Sequence, residues 1–172
     1  MDRVTATAPS PALGAIAALR TAFRGAMANV ASPVAVVTAL DDGVPHGTTV
    51  SAFCSLSMEP PMLLVSLDVE SSLLHHVTVG GTLGVNVLSA AHDQLALRFA
   101  QRGVDRFAGL EWFVTDGAPA LPGVHAWVAI EVEQMVPAGD HVVVLGRATA
   151  AAAGSHRPLT YWQRSFGSHS TF

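Results

Sequence analysis

The hydrophobic positions of this chain follow two different periods, and the first is helical. Five apolar residues carry it near the start of the chain: Leu13, Ile16, Leu19, Phe23 and Met27. Their spacing predicts an amphipathic helix over Pro11–Ala28, with a Ser-Pro start signal before it and Asn29 as the stop. Residues 1–10 have no apolar run and predict a disordered lead rather than a signal peptide. The domain proper is therefore predicted over residues 11–172.

Most of the other apolar segments have the length, and in places the two-residue period, of β-strands. The predicted strands cover residues 34–40, 44–53, 61–67, 83–88, 124–132 and 142–150. Asp41-Asp42-Gly43 predicts a tight turn, and loops are predicted at 55–60 and 137–141. A short helical piece is predicted over 71–77, and a helix over 90–101 with Ser89 as its cap. About six strands without βαβ alternation predict a mainly β fold, an antiparallel barrel with flanking helices.

Length and charge indicate a single domain and argue against nucleic acid as a partner. The chain has 172 residues, half of them hydrophobic and 13% charged, with a net charge of -4. Such a chain folds around a single core and lacks the positive charge for nucleic acid. No stretch reaches the roughly 18 apolar residues of a membrane helix. The single cysteine, Cys54, excludes an internal disulfide and a cysteine zinc site, and favours the cytoplasm.

Several kinds of catalytic and binding site are excluded by missing motifs. The chain has no G-x-G-x-x-G, P-loop or G-x-S-x-G pattern, so a nucleotide must be held in another way. Its eight histidines never fall in H-x-H or H-E-x-x-H spacing. No metal site is predicted, because the fold alone would have to assemble one.

Two segments concentrate small hydroxyl residues. Residues 47–57 read Gly-Thr-Thr-Val-Ser-Ala-Phe-Cys-Ser-Leu-Ser, and Glu70-Ser71-Ser72 lies at a predicted helix start. Small side chains let backbone amides approach a ligand, and hydroxyls bind phosphate or ring oxygens without adding charge. The alternatives are a strand whose Thr and Ser face water, and plain helix capping.

The order of short motifs resembles that of a known enzyme family. The motifs are Phe23-Arg24, Val36-Val37-Thr38, Gly47-Thr48-Thr49-Val50-Ser51-Ala52-Phe53, Ser57-Met58-Glu59-Pro60-Pro61, Val85-Asn86-Val87-Leu88, Asp105-Arg106-Phe107-Ala108-Gly109 and Gly139-Asp140-His141. In order and spacing they resemble the short-chain flavin reductases of two-component monooxygenase systems. Each motif alone is weak, but seven in register are specific.

The resemblance implies an FMN-binding split β-barrel that reduces FMN or FAD with NADH or NADPH. The reduced flavin would leave for a flavin-dependent monooxygenase or halogenase, and the enzyme would be a homodimer. The implied flavin-binding residues are Ser32, Thr48, Thr49, Val50, Ser51, Ser55, Leu56, Ser57, Ser71 and Ser72. Gly139, Asp140 and His141 match the loop associated with the nicotinamide nucleotide.

The residues themselves are consistent with that chemistry. Hydride transfer between two cofactors needs no protein nucleophile, so missing catalytic carboxylates are no objection. His141 is the one predicted catalytic residue, contacting the nicotinamide or its phosphates with Asp140 fixing its tautomer. Residues 47–57 hold no Lys or Arg, so flavin binding is expected to depend little on salt. A steep salt dependence would instead point to Arg98, Arg102 or Arg106.

Two other functions are compatible with the sequence. One is a split-barrel protein that binds flavin or haem without catalysis, and Gly139-Asp140-His141 argues against it. The other is a small barrel that serves as an interaction module. A homodimer is expected in any case, because exposed sheet edges and apolar surface exceed what so few charges can cover.

Overall fold

A computed structural model describes residues 11–171, so the predicted lead, 1–10, lies outside the described residues. Two α-helices occur in them, α1 (Pro11–Ala28) and α2 (Asp93–Ala100), together with a 3-10 helix at Ser72–His76. The strands are β1 (Ser32–Pro33), β2 (Ala35–Asp41), β3 (Val44–Val50), β4 (Phe53–Met58), β5 (Pro61–Asp68), β6 (Thr82–Val87), β7 (Phe113–Thr115), β8 (Ala118–Ala120), β9 (Ala126–Ala138), β10 (His141–Ala153), β11 (Leu159–Trp162) and β12 (Ser165–Ser168).

Seven antiparallel strands wrap around the main core. Their order is β3-β2-β6-β9-β10-β5-β4, and the two end strands, β3 and β4, are consecutive in the chain. Val37 of β2, Val85 of β6 and Val65 of β5 are fully buried in one cluster with Ile130 and Val144. Side chains from opposite ends of the sheet therefore meet in its interior, and the sheet forms a barrel.

Two-residue turns set the register of the long hairpins. Asp42 and Gly43 both have positive φ, 47° and 77°, which is the pattern of the type I′ turn that suits strand twist. The turn predicted between β2 and β3 is confirmed. Gly139, at φ 67°, opens the turn between β9 and β10, and Asp140 completes it.

A buried polar network fixes the small β7–β8 hairpin against the barrel. The Thr38 hydroxyl donates to the carbonyl of Pro119 over 2.6 Å. The Asn86 amide donates to the carbonyl of Val36 and accepts from the amide of Leu121. Because these polar groups are buried and paired, they hold the β7–β8 hairpin in one position against the barrel. Gly84 beside them leaves no room for a side chain, since a Cβ there would lie 2.3 Å from the Trp127 ring.

Helix α1 has the predicted bounds but lies on the outside of the barrel. Ile16, Leu19, Phe23 and Met27 are 49–69% exposed. Its C-terminal end is attached through Gln163, whose backbone amide donates to the carbonyl of Ala28. The apolar face of α1 is thus left uncovered by the described part of this chain. Neither described helix has the length and apolar character that a membrane crossing needs.

Three local predictions were wrong. Ser89 is no helix cap: it is buried and bridged to Pro158, and α2 begins at Asp93 after His92. The strand predicted over 44–53 ends at Val50, and β4 occupies most of the predicted loop 55–60. The loop predicted over 137–141 is the two-residue turn just described, because strands β9 and β10 extend to meet it. The twelve described strands exceed the predicted six, as five of the others have only two to four residues.

Candidate active site

The hydroxyl segment lies along β3 and turns away at its end. Thr49 donates its hydroxyl proton to the carbonyl of Ala96 over 2.7 Å, which ties β3 to helix α2. Gly47 must be small, because a Cβ there would come within 2.9 Å of the Phe99 ring. Ser51 and Ala52 then link β3 to β4 at the open side of the barrel. The segment therefore presents Thr48 and Thr49 at one place and Ser51 two to three residues, roughly 7–10 Å, further on.

Thr48 and Thr49 line a polar cavity of about 360 Å³, here called the hydroxyl–arginine pocket. It is also lined by Ser71, Ser72, Arg102 and Arg106. Among the residues whose side chains are described, Ser71 carries the one buried polar side-chain atom without a hydrogen-bond partner. A buried hydroxyl left unpaired costs free energy unless a ligand satisfies it. The unpaired Ser71 Oγ is therefore a candidate partner for a polar ligand at this pocket.

Two arginines bring positive charge to the same pocket, which the carboxylates of Asp68 and Glu70 also line. Arg106 donates from Nε to the carbonyl of Gln101 and from Nη1 to the carbonyl of Gly47, over 2.7 and 2.6 Å. Burial, followed by repulsion from Arg102, lowers the pKa of Arg106. Arg102 is itself paired with Asp68 at 3.2 Å. Two guanidinium groups held close together favour a ligand whose negative charge relieves their repulsion.

A second cavity, of about 810 Å³, lies between α1 and the barrel and is here called the helix-side pocket. Ser32, Ser51 and Asp140 line it, and so does the β11–β12 turn with Gln163 and Arg164. Both turn residues have positive φ without being glycine, which costs about 1–2 kcal/mol each. The side chain of Gln163 offsets part of that cost through a 2.9 Å bond to Asn29.

Asp140, which lines the helix-side pocket, forms an oriented pair with His141. His141 Nδ1 lies 2.7 Å from Asp140 Oδ1. The hydrogen bond and charge of His141 hold the pKa of Asp140 below its ordinary value. An ionised Asp140 accepts the Nδ1 proton, which leaves His141 Nε2 as the ring nitrogen for a ligand. The His141 side chain is 41% exposed and thus accessible.

The end of β5 connects the two pockets. Asp68 lines the hydroxyl–arginine pocket and is the backbone partner of His141 in the β5–β10 ladder. The amide of Val69 donates to the carbonyl of Asp140, which lines the helix-side pocket. The predicted residues Thr48, Thr49, Ser71 and Ser72 are thus in one pocket, and Ser32, Ser51 and Asp140 in its neighbour.

Six of the predicted residues line neither pocket, among them Gly139 and His141, which flank Asp140. The Val50 side chain is buried in the main core, where only its backbone can meet a ligand. Ser55, Leu56 and Ser57 are on the edge strand β4 and line neither pocket. Ser57 accepts a hydrogen bond from the backbone amide of Glu59. Their side chains therefore have no contact with the two cavities in a single copy of the chain.

The comparisons with known proteins agree on one family. The model of the flavin reductase-like domain matches residues 27–170. The chain belongs to that family. It is 42% identical over 147 residues to the actinorhodin polyketide dimerase of Streptomyces coelicolor, covering 84% of this chain and 83% of that protein. It is 37% identical over 149 residues to the NADH:riboflavin 5'-phosphate oxidoreductase of Streptomyces pristinaespiralis, covering 84% and 85%.

A solved structure gives the same result for the fold. The styrene monooxygenase flavin reductase of Pseudomonas putida S12 matches with a TM-score of 0.80 and 31% identity, over 87% of this chain and 97% of that one. The predicted family and antiparallel split β-barrel are confirmed. The comparisons also confirm the activity, which is NAD(P)H-dependent flavin reduction. They confirm flavin and a nicotinamide nucleotide as the cofactors.

The residues of the hydroxyl–arginine pocket fit the phosphate of such a flavin. Ser71 supplies an unpaired hydroxyl, and Arg102 and Arg106 supply positive charge. The expectation, drawn from residues 47–57, that flavin binding depends little on salt stays a prediction. From the sequence, Arg98, Arg102 and Arg106 are only the alternative for a steep salt dependence, and the structure puts two of them, Arg102 and Arg106, in this pocket.

Replacement of Ser71 by alanine tests the unpaired hydroxyl. Without ligand, Ser71→Ala should leave the melting temperature unchanged or raise it, since the buried polar atom is removed. The same change should weaken FMN binding by about 0.5–1.5 kcal/mol, roughly 2- to 13-fold. Calorimetric melting and flavin-fluorescence titration measure the two effects. A lower melting temperature with unchanged FMN affinity would mean that Ser71 serves the fold alone.

Proposed function

We propose that the two pockets form one continuous site for flavin and nicotinamide nucleotide, in a reductase that releases reduced flavin to a second protein. The hydroxyl–arginine pocket takes the flavin phosphate. The ring system lies beyond it, beside Ser51 and the helix-side pocket. The ribityl chain and phosphate of a flavin have about the length of the backbone between Thr49 and Ala52, which are three residues apart. The observation that carries this proposal is the unpaired Ser71 Oγ beside two arginines.

In this proposal the chain's own residues bind and orient the two cofactors. When bound, flavin accepts a hydride from the reduced nicotinamide. Arg102 and Arg106 hold the phosphate, and Ser71 and Ser72 add hydroxyl contacts. His141 Nε2 accepts a hydrogen bond from the nicotinamide carboxamide, and Asp140 keeps the imidazole in the tautomer that can do so. Together these residues would hold the flavin ring and the nicotinamide ring at reacting distance.

The adjoining cavity at Trp112 supports FAD as the tighter flavin. It has a volume of about 570 Å³, shares Ser72 and Arg106 with the hydroxyl–arginine pocket, and is walled by Pro45, Phe107 and Trp112. Trp112 is held edge-on against Phe107, with ring centroids 6.0 Å apart. An adenylate that continues from the flavin phosphate enters a cavity with an aromatic wall, where base stacking is worth about 1–3 kcal/mol.

Trp112→Ala should therefore weaken FAD binding roughly 5- to 150-fold and leave FMN binding nearly unchanged. Phe113→Ala is the matched control, since that neighbouring aromatic residue is exposed and outside the cavity. Fluorescence titration with both flavins measures the four affinities. Equal losses for FAD and FMN would place the adenylate elsewhere.

A homodimer is the proposed assembly, and α1 is the proposed contact. Leu19 and Phe23 are 69% and 64% exposed on the apolar stripe of α1, and Met58 on the edge strand β4 is 78% exposed. Burial of these side chains against a second copy removes apolar surface and an open sheet edge together. Since α1 also lines the helix-side pocket, assembly and nucleotide binding depend on the same element.

Light scattering should return about twice the 17.8 kDa monomer mass for the native chain. Leu19→Asp should raise the dimer dissociation constant by at least about a hundredfold, because it buries an unpaired charge. Ala18→Asp is the control, as it adds the same charge to the opposite face of α1. A native mass near that of the monomer, or equal effects of the two variants, would contradict the α1 contact.

The recipient of reduced flavin is proposed to be a flavin-dependent monooxygenase or halogenase. The solved relative described above is the flavin reductase of a styrene monooxygenase, and this similarity supports the proposal. The cytoplasm is the proposed location, because NADH and NADPH are supplied there.

Release of reduced flavin can be tested without the recipient. In the absence of oxygen, a small amount of protein is mixed with a large excess of FMN or FAD and a larger excess of NADH or NADPH. Bleaching of the whole flavin pool is expected, because flavin exchanges as a substrate. Bleaching limited to one flavin per chain would mean a retained cofactor and would contradict transfer to a partner.

A further inference from the structure

Three metal-ligating side chains meet at one end of the barrel, on elements that the sequence separates by up to 35 residues. Within the described residues, Asp41, His46 and His76 bring one ligand atom each to within 4.8 Å of one another. No residue of this cluster is needed for the proposed chemistry of flavin reduction. We infer that Asp41, His46 and His76 form a binding site for a divalent transition-metal ion.

The backbone fixes where each ligand stands. In the β2–β3 ladder Asp41 pairs with Val44 and Ala39 with His46, so Asp41 and His46 are diagonal neighbours on one face of the hairpin. The type I′ turn between them sets that register. His76 comes from the end of the 3-10 helix, which the buried residues Leu73 and Val77 anchor to the main core.

The side chains are already in mutual contact. His76 Nδ1 lies 2.7 Å from Asp41 Oδ2, a hydrogen bond that an ion would replace as the two atoms move apart to the roughly 3.3 Å between neighbouring ligands of a tetrahedral site. The His46 and His76 rings are stacked, with centroids 3.5 Å apart and an angle of 15° between their planes. An ion must lie in the plane of each ring that binds it. Metal binding therefore turns the His46 ring out of the stack, and the open cavity beside His46 has room for that rotation.

The donor set defines the class of ion. Two imidazole nitrogens and one carboxylate oxygen favour Zn²⁺, Co²⁺, Ni²⁺ or Cu²⁺ over Mg²⁺ and Ca²⁺, which prefer oxygen ligands. The Asp41 side chain is 53% exposed and His76 25%, so water can fill the remaining coordination positions. The ion would bind with three protein ligands and at least one solvent ligand.

This site was not predicted from the sequence, because its ligands form no short motif. His46 and His76 belong to different elements, and the sequence offers only eight scattered histidines. His46 also lines the cavity proposed for the adenylate of FAD, so the metal site and the flavin site are tested separately. Flavin reduction is tested with metal chelated, and metal binding is tested without flavin or nicotinamide.

The test is a titration of the metal-free, full-length chain, carrying no added histidine tag, with Zn²⁺ by calorimetry and with Co²⁺ by visible absorption. One ion per chain should bind with a dissociation constant below about 10 µM. The Co²⁺ complex should show d–d bands of nitrogen and oxygen ligation. Mg²⁺ at the same concentration should give no heat of binding.

Matched variants separate this site from other histidines. His46→Ala and His76→Ala should each weaken Zn²⁺ binding at least 10- to 100-fold. His75→Ala removes an exposed neighbouring histidine and should leave the affinity unchanged. Circular dichroism confirms that each variant is folded, and Asp41→Asn, a near-isosteric change, provides a third ligand variant that should also weaken binding. Binding weaker than about 100 µM, or an affinity that His46→Ala and His76→Ala leave intact, would overturn the inference.

Discussion

Replacement of Arg102 by alanine should weaken FMN binding roughly 10- to 150-fold while riboflavin binding changes by less than about twofold. The reason is the phosphate, which riboflavin lacks. A hydrogen bond to a charged group is worth about 1.5–3 kcal/mol. Loss of Arg102 also leaves Asp68 without its ion-pair partner at the edge of the pocket, where its charge repels the same phosphate. Fluorescence titration with the two flavins measures the difference.

Arg147→Ala is the control for this prediction. Arg147 is paired with Glu131 and Glu133, away from the pocket, so its loss changes the net charge equally. Added salt should weaken FMN binding by the native chain and leave riboflavin binding almost unaffected. If Arg102→Ala reduced the two affinities by the same factor, the arginine would not contact the phosphate.

Replacement of His141 by alanine should reduce kcat/KM for the nicotinamide nucleotide roughly ten- to a hundredfold, with little change in the dissociation constant of flavin. The reason is geometric. Asp140 lines the helix-side pocket and its Oδ1 lies 2.7 Å from His141 Nδ1, so Asp140 fixes the ring and leaves Nε2 for the nicotinamide nucleotide. Steady-state kinetics with varied NADH and NADPH, together with a separate flavin titration, give both quantities.

Asp140→Asn is the informative companion variant. It retains the size of the side chain but removes the charge that fixes the His141 tautomer, so its loss of kcat/KM should be smaller than that of His141→Ala. A His141→Ala protein with native kcat/KM, or one that lost flavin affinity instead, would leave Gly139-Asp140-His141 as a turn without a role in nucleotide binding.

The sequence predicted those features whose signals lie within a few residues of one another. The bounds of α1 follow from one apolar stripe, and the turn between β2 and β3 follows from Asp42-Gly43. In both, local backbone preference and tertiary structure agree. Thr48 and Thr49, which the sequence singled out for their small hydroxyl side chains, line the hydroxyl–arginine pocket, and their contact with a ligand stays a prediction.

Features that depend on long-range contacts could not be predicted in this way. Arg106 reaches the pocket because its guanidinium binds the carbonyl of Gly47, 59 residues earlier in the chain. Serine is a common helix cap, but the backbone of Ser89 pairs with Pro158 in a β-bridge. Helix α2 therefore begins later, at Asp93. The edge strand β4 has a register shift between Ser55 and Ser57, which breaks the alternation by which strands are recognised.

The measurement that tests the account most directly is the oxidation of NADH and NADPH by the native chain, followed at the absorbance band of the reduced nicotinamide. FMN, FAD and riboflavin are supplied in turn, and the Arg102→Ala protein is run beside the native one. We expect oxidation that requires added flavin, with Arg102→Ala impaired toward FMN and FAD but close to native toward riboflavin. A folded native protein that oxidises neither nucleotide with any flavin would contradict the assignment as a flavin reductase.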